Sequence, residues 1–225
     1  MTAGARARGW ADDGFLLLLK GIDGLTEADL DDDCALPGWS RRHLLAHVAS
    51  NAEAVGRLLA WARTGVETPM YSSPDQRTAD IAAGAARPDL RDWVRESAVA
   101  LSRAMDELPE QAWDHEVVTA QGRVVPASET TWMRARETCV HAVDLGTGTT
   151  FGDLPEDFLA ALLDDVAGWR GSRPGPAIVL TTPRTHHELA GDPPVTRLDL
   201  PLATAAGWLT GRHTASELPA LPRWL

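Results

Sequence analysis

Four helical stretches joined by short connections fill most of the first 150 residues. Helices joined that way run antiparallel, so this part of the chain reads as an antiparallel four-helix bundle. The first stretch spans Trp10 to Leu25, with Phe15, Leu18, Leu19 and Ile22 on one side. The second follows Ser40, a good N-cap residue, runs through RRHLLAHVASNAEAVGRLLAWAR and stops at Gly65. After a loop rich in turn formers and a short helix over 76–86, the third begins near Asp89. It carries Leu90, Trp93, Val94, Leu101 and Met105 as one stripe and ends before Pro109. Residues 115–128 alternate like a hairpin with Gln121-Gly122 at its turn. The fourth helix runs from about Glu129 to Leu145, with Gly146 as its C-cap.

Beyond residue 150 the pattern changes. Pro155 to Trp169 is helical, 177–183, 186–191 and 195–200 read as strands, and 202–212 is a last helix. The fold class is therefore α+β, mainly α, with a helical bundle over 1–150 and a small α+β domain over 151–225.

The charge balance narrows the partners. A net charge of −11 offers no basic face for phosphates, so nucleic acid is not an expected partner. No apolar run approaches the ~20 residues needed to span a bilayer, and FLLLL at 15–19 is short and flanked by charges. The N-terminal residues lack the plan of a signal peptide, which points to the cytoplasm. The two cysteines, Cys34 and Cys139, have no CxxC partners and read as small buried residues.

The chemistry concentrates in RARETCVHAVDL, Arg134 to Leu145. Glu137 and His141 stand four apart, so they share a helix face, and Arg134 and Asp144 extend the same stripe by three residues either way. Two readings are open: a solvated face laced with ion pairs, or half of a metal site in the bundle. In the second, a facing helix supplies the third ligand. His47, in the apolar LLAHVA run, is the candidate, against the alternative of a hydrogen-bonded core histidine. His43, beside Arg41 and Arg42, reads as exposed, and so do His115, His186, His187 and His213. Asn51, one turn beyond His47, is placed to support the site from behind. Asp144 either orients a ligand or pairs with Arg134. Cys139 lies about 200° around the helix from Glu137 and points away. Trp39 and Trp132 are candidates to line a pocket. A His-Glu-His set leaves a coordination position open, as in catalytic zinc sites, although iron or nickel would also accept it.

Two stretches together, W-S-x-x-x-L-L-A-H-V-A from Trp39 to Ala49 and R-x-x-E-x-x-x-H-x-V-D-L from Arg134 to Leu145, resemble the mycothiol-dependent maleylpyruvate isomerase family. The likeness extends to GWLTGR, Gly207 to Arg212, and so covers most of the chain. It implies a DinB-like metal-binding bundle followed by a small α+β domain. It matches the family's metal ligands to His47, Glu137 and His141, and a catalytic arginine to Arg212. It also places Tyr71 and Arg77, in YSSPDQR, near the pocket; together with Asn51 they are the candidate cofactor-binding residues. The implied cofactors are a divalent metal, zinc by preference, and mycothiol. The implied reaction is addition of the thiolate to a cis-enone diacid, rotation about the former double bond, and elimination to the trans isomer. Three other outcomes stay open on the same scaffold: a mycothiol S-transferase, a metal-dependent hydrolase, and a non-enzymatic DinB-like module. The expected partners are a small-molecule substrate and mycothiol, with the chain a monomer or a homodimer.

Overall fold

The computed structural model describes residues 3–222 and 224. The chain divides into two compact units, Met1–Gly148 and Thr149–Leu225.

The first unit contains helices α1 (Ala3–Asp23), α2 (Arg41–Thr64), α3 (Pro74–Ala85), α4 (Leu90–Asp106) and α5 (Glu129–Asp144). Strands β1 (Glu116–Val118) and β2 (Val124–Pro126) form an antiparallel hairpin between α4 and α5. Its turn holds Gly122 at φ +77°, a left-handed conformation that glycine adopts without a Cβ penalty. Helix α1 lies along α5, and α2 packs against α3, α4 and α5. Helix α1 starts well before Trp10, because Ala7 and Ala11 are buried too. Such small residues extend the packed face without standing out as a stripe.

Helix α2 threads two apolar clusters. Its first half, with Leu44, Leu45 and Val48, packs with Leu18 and Ile22 of α1, Ile81 of α3 and Val94 of α4. Its second half, with Val55, Leu58 and Leu59, packs with Leu101, Met105 and the cross-strand pair Val117 and Val125. Gly65, at φ +72°, ends α2 by donating its N–H to the Trp61 carbonyl. Ser73 caps α3 by accepting from the Gln76 N–H, with Pro74 in the first turn. Ser40 stands at the N-cap of α2 as expected, but its hydroxyl makes no capping bond. It meets His43 Nδ1 at 2.8 Å instead, so His43 is half-buried rather than exposed.

The second unit has α6 (Glu156–Gly171), β3 (Pro176–Thr181), β4 (His186–Leu189), β5 (Asp192–Asp199) and α7 (Leu202–Leu209). The sheet order is β4-β3-β5, with β4 antiparallel and β5 parallel to β3. Strand β5 begins earlier than the sequence predicts, at residues that include Pro193 and Pro194. It is an edge strand, where a missing N–H costs no ladder bond on the open side. Helix α7 stops at Leu209, short of the predicted 212. Gly211 takes φ +77°, and the N–H groups of Arg212 and His213 turn back to the Gly207 carbonyl. His187 is not a surface residue: its side chain is only 10% exposed and its Nε2 lies 3.7 Å from Asp164. Cys34 is half-buried rather than buried. Among the described residues no helix is long and apolar enough to cross a membrane.

Candidate metal centre

The stripe on α5 faces inward, with its ends Arg134 and Asp144 buried and Glu137 and His141 half-buried between them. Arg134 is 4% exposed and Asp144 is fully enclosed, so the reading as a solvated face of ion pairs is overturned. Helix α2 presents His47 to this stripe, also almost wholly buried. Glu137 Oε2 lies 3.1 Å from Nε2 of His47 and 3.1 Å from Nε2 of His141. One ligand atom from each of the three side chains falls within 4.8 Å of the others. The two imidazole rings stand 5.1 Å apart, nearly perpendicular.

Two arrangements fix this convergence. Asp144 Oδ2 accepts the Nδ1–H of His141 at 2.9 Å, which turns Nε2 toward Glu137. Asp144 therefore orients His141 and does not pair with Arg134. Arg134 Nη1 instead donates to the Val48 carbonyl and to Asn51 Oδ1, each at 2.9 Å. It staples α5 to the turn of α2 that carries His47. Asn51 thus meets Arg134 in this staple. The Trp39 ring packs edge-on against His47 at 5.5 Å. Trp132 packs against Trp10.

The electrostatics follow from three groups competing for little space. Burial alone would raise the Glu137 pKa. The charges and hydrogen bonds of His47 and His141 outweigh it and hold the carboxyl well below its ordinary 4.5. For His141, burial acts to lower the pKa, but Asp144 and Glu137 bring it up to about 9. For His47 burial prevails over the pull of Glu137, and its pKa falls. Arg134 is brought down to about 10, by burial first, with Glu137 opposing.

The donor set fits a divalent metal ion. Two imidazole nitrogens and one carboxylate oxygen match the ligands of a catalytic zinc site. The Asp144 contact is the carboxylate–histidine pairing that metal ligands carry on their outer nitrogen. With metal bound, both imidazoles would be neutral and Glu137 ionised.

A family model described as the mycothiol maleylpyruvate isomerase N-terminal domain matches residues 17–146. The chain belongs to the mycothiol maleylpyruvate isomerase family. Two crystal structures resemble the whole chain. One is of the mycothiol-dependent maleylpyruvate isomerase, 40% identical with a TM-score of 0.93, covering 99% of this chain and 98% of that one. The other is of a histidine-to-alanine mutant of it, 39% identical with a TM-score of 0.92 over the same shares. No curated protein sequence matches. The family resemblance read from the sequence is therefore correct, and so is the mainly α fold with a small β part.

In this member of the isomerase family, Tyr71 and Arg77 both lie by the triad. Arg77 Nη2 is 3.4 Å from His47 Nδ1, and its guanidinium sits 5.7 Å from the centre of the Tyr71 ring. Arg57 lies near the same ring at 5.8 Å and is fixed by two bonds to the Met70 carbonyl. Burial raises the Tyr71 pKa, while Arg77 pulls it back. Arg212 lies in the second unit, just past α7, where it donates to the Thr210 carbonyl and stacks near Trp224. Cys139 is buried, with its thiol toward the Trp10 carbonyl and its pKa pushed up to about 12 by burial. Sequence spacing missed the two arginine contacts, Arg134 to Val48 and Arg77 to His47. Both cross between helices, where periodicity carries no signal.

Proposed function

We propose that the chain is a mycothiol-dependent cis–trans isomerase of the maleylpyruvate-to-fumarylpyruvate type, working with zinc held by His47, Glu137 and His141. The observation that carries this reading is the near-full-length likeness to a solved mycothiol-dependent maleylpyruvate isomerase at 40% identity. The convergent triad supports the metal. When bound, the metal would keep a coordinated thiol as its thiolate, and that thiolate is the nucleophile whose addition and loss let the cis double bond become trans.

The chain's own residues hold and orient. Asp144 keeps a proton on His141 Nδ1 and so leaves Nε2 for the metal. Glu137 supplies the negative charge that makes the centre favour a cation. Neither cysteine competes as a nucleophile, since burial raises both pKa values and Cys139 is turned to Trp10. Arg77 brings a cationic fork beside the triad that suits a substrate carboxylate. The family resemblance assigns Arg212 to a substrate carboxylate or to the enolate. In this reading the bundle of residues 1–150 is the metal-binding domain, residues 151–225 form the smaller domain, and the enzyme acts in the cytoplasm.

The test is a spectrophotometric assay of zinc-loaded protein with maleylpyruvate, with and without mycothiol. Isomerisation should need the thiol and vanish in His47→Ala. Arg212→Ala should lose roughly a hundredfold or more in turnover and keep its zinc. A stable thiol conjugate would make the enzyme an S-transferase. Turnover of esters or amides without thiol would make it a hydrolase.

A further inference from the structure

The two histidines of the centre have opposite partners on their outer nitrogens. His141 Nδ1 faces the Asp144 carboxylate, an acceptor that keeps a proton there and frees Nε2. His47 Nδ1 faces Arg77 Nη2, a donor with no lone pair to offer. Two donors cannot share that contact, so Arg77 favours the tautomer with Nδ1 bare and the proton on Nε2. In that form His47 donates to Glu137 Oε2, 3.1 Å away. Yet Nε2 is the atom aimed at the other ligands. Metal on Nε2 requires the ring to carry its proton on Nδ1, and that proton points at the guanidinium.

We infer that Arg77 competes with the metal for His47, and that an anionic ligand which draws Arg77 away tightens the hold on the metal. The inference rests on the reading of His47, Glu137 and His141 as ligands. Arg77 is suited to such a transfer. Among the described residues no carboxylate forms an ion pair with it, and it is half-buried beside the triad. The Tyr71 ring lies 5.7 Å from the Arg77 guanidinium and 5.8 Å from that of the anchored Arg57, so an aromatic face stands beside the cation. The proton count closes within the ring: Nε2 loses a proton, Nδ1 gains one, and His47 stays neutral. A dicarboxylate would accept two parallel bonds from the freed fork, which a histidine nitrogen cannot. The coupling would be reciprocal: Arg77 would be freer to meet the anion once His47 serves as a ligand, and His47 freer to serve as one once the anion holds Arg77.

The experiment measures zinc affinity by chelator competition, with and without maleate, in wild type and Arg77→Met. No thiol is present, so turnover plays no part. Loss of one charge-assisted hydrogen bond on the competing side should make Arg77→Met bind zinc roughly tenfold tighter than wild type. Maleate should tighten zinc binding in wild type, and by clearly less in Arg77→Met. Nitrogen NMR of the metal-free protein gives a second reading. The His47 ring should show its proton on Nε2 in wild type and shift toward Nδ1 in Arg77→Met. Equal or weaker zinc binding by folded Arg77→Met, or an Nδ1–H tautomer in metal-free wild type, overturns the inference and leaves the isomerase reading standing. A wild type that holds no zinc overturns the ligand assignment and this inference together.

Discussion

Asp144 shows how much a single residue decides at this centre. It is fully enclosed, and its contact determines which nitrogen of His141 faces Glu137. Replacing it by asparagine keeps the shape and removes the charge that stabilises a proton on Nδ1. Asp144→Asn should weaken zinc binding about 10–100-fold, the usual cost of losing such a partner. Chelator competition measures it, and unchanged affinity would remove Asp144 from the account. The residues that spacing could reach were legible: Glu137, His141 and Asp144 share one face because they lie three or four apart. His47 stood out as a histidine amid LLAHVA. What no spacing rule reaches is a contact between elements. Arg134 looked like one more member of an ionic stripe, yet it reaches across to a carbonyl and an amide of α2. Its burial beside Glu137 follows from tertiary packing alone.

At the scale of elements, the position of α5 depends on how closely α1 approaches it. A Cβ built on Gly14 of α1 would lie 2.6 Å from both the backbone nitrogen and the thiol of Cys139, and 2.9 Å from its Cα. Two of those three atoms are helix backbone, so a side chain there must move a helix. Thr138, next along α5, donates its hydroxyl to the Ala11 carbonyl at 2.9 Å, which ties the same two helices. Gly14→Ala should cost about 1–3 kcal/mol, an overpacking penalty, and lower Tm by several degrees. An unaltered melting temperature would show that α1 yields there without cost. The helices themselves were legible because their stops are chemical: Gly65 and Gly146 each sit at positive φ where the sequence placed a C-cap. The early start of α1 was hidden in buried alanines. The end of α7 was hidden because WLTGR keeps a helical composition past the residue where Gly211 turns the chain.

For the whole molecule, charge and function pull in opposite directions. The chain carries −11 overall, yet the proposed substrate is an anion. Positive charge is therefore gathered locally: Arg57, Arg77 and Arg134 all lie around the triad or the Tyr71 beside it. Composition alone gave no reason to expect a polyanionic partner and could not reveal this local reversal, which arises when α2, α3 and α5 come together. The central claim is that an external thiol completes a metal centre built by His47, Glu137 and His141. Its most direct test is calorimetric titration of zinc-loaded protein with mycothiol, with His47→Ala as the control. The account predicts binding of one thiol per chain that disappears in His47→Ala. A well-folded, zinc-loaded wild type that takes up no mycothiol would contradict it.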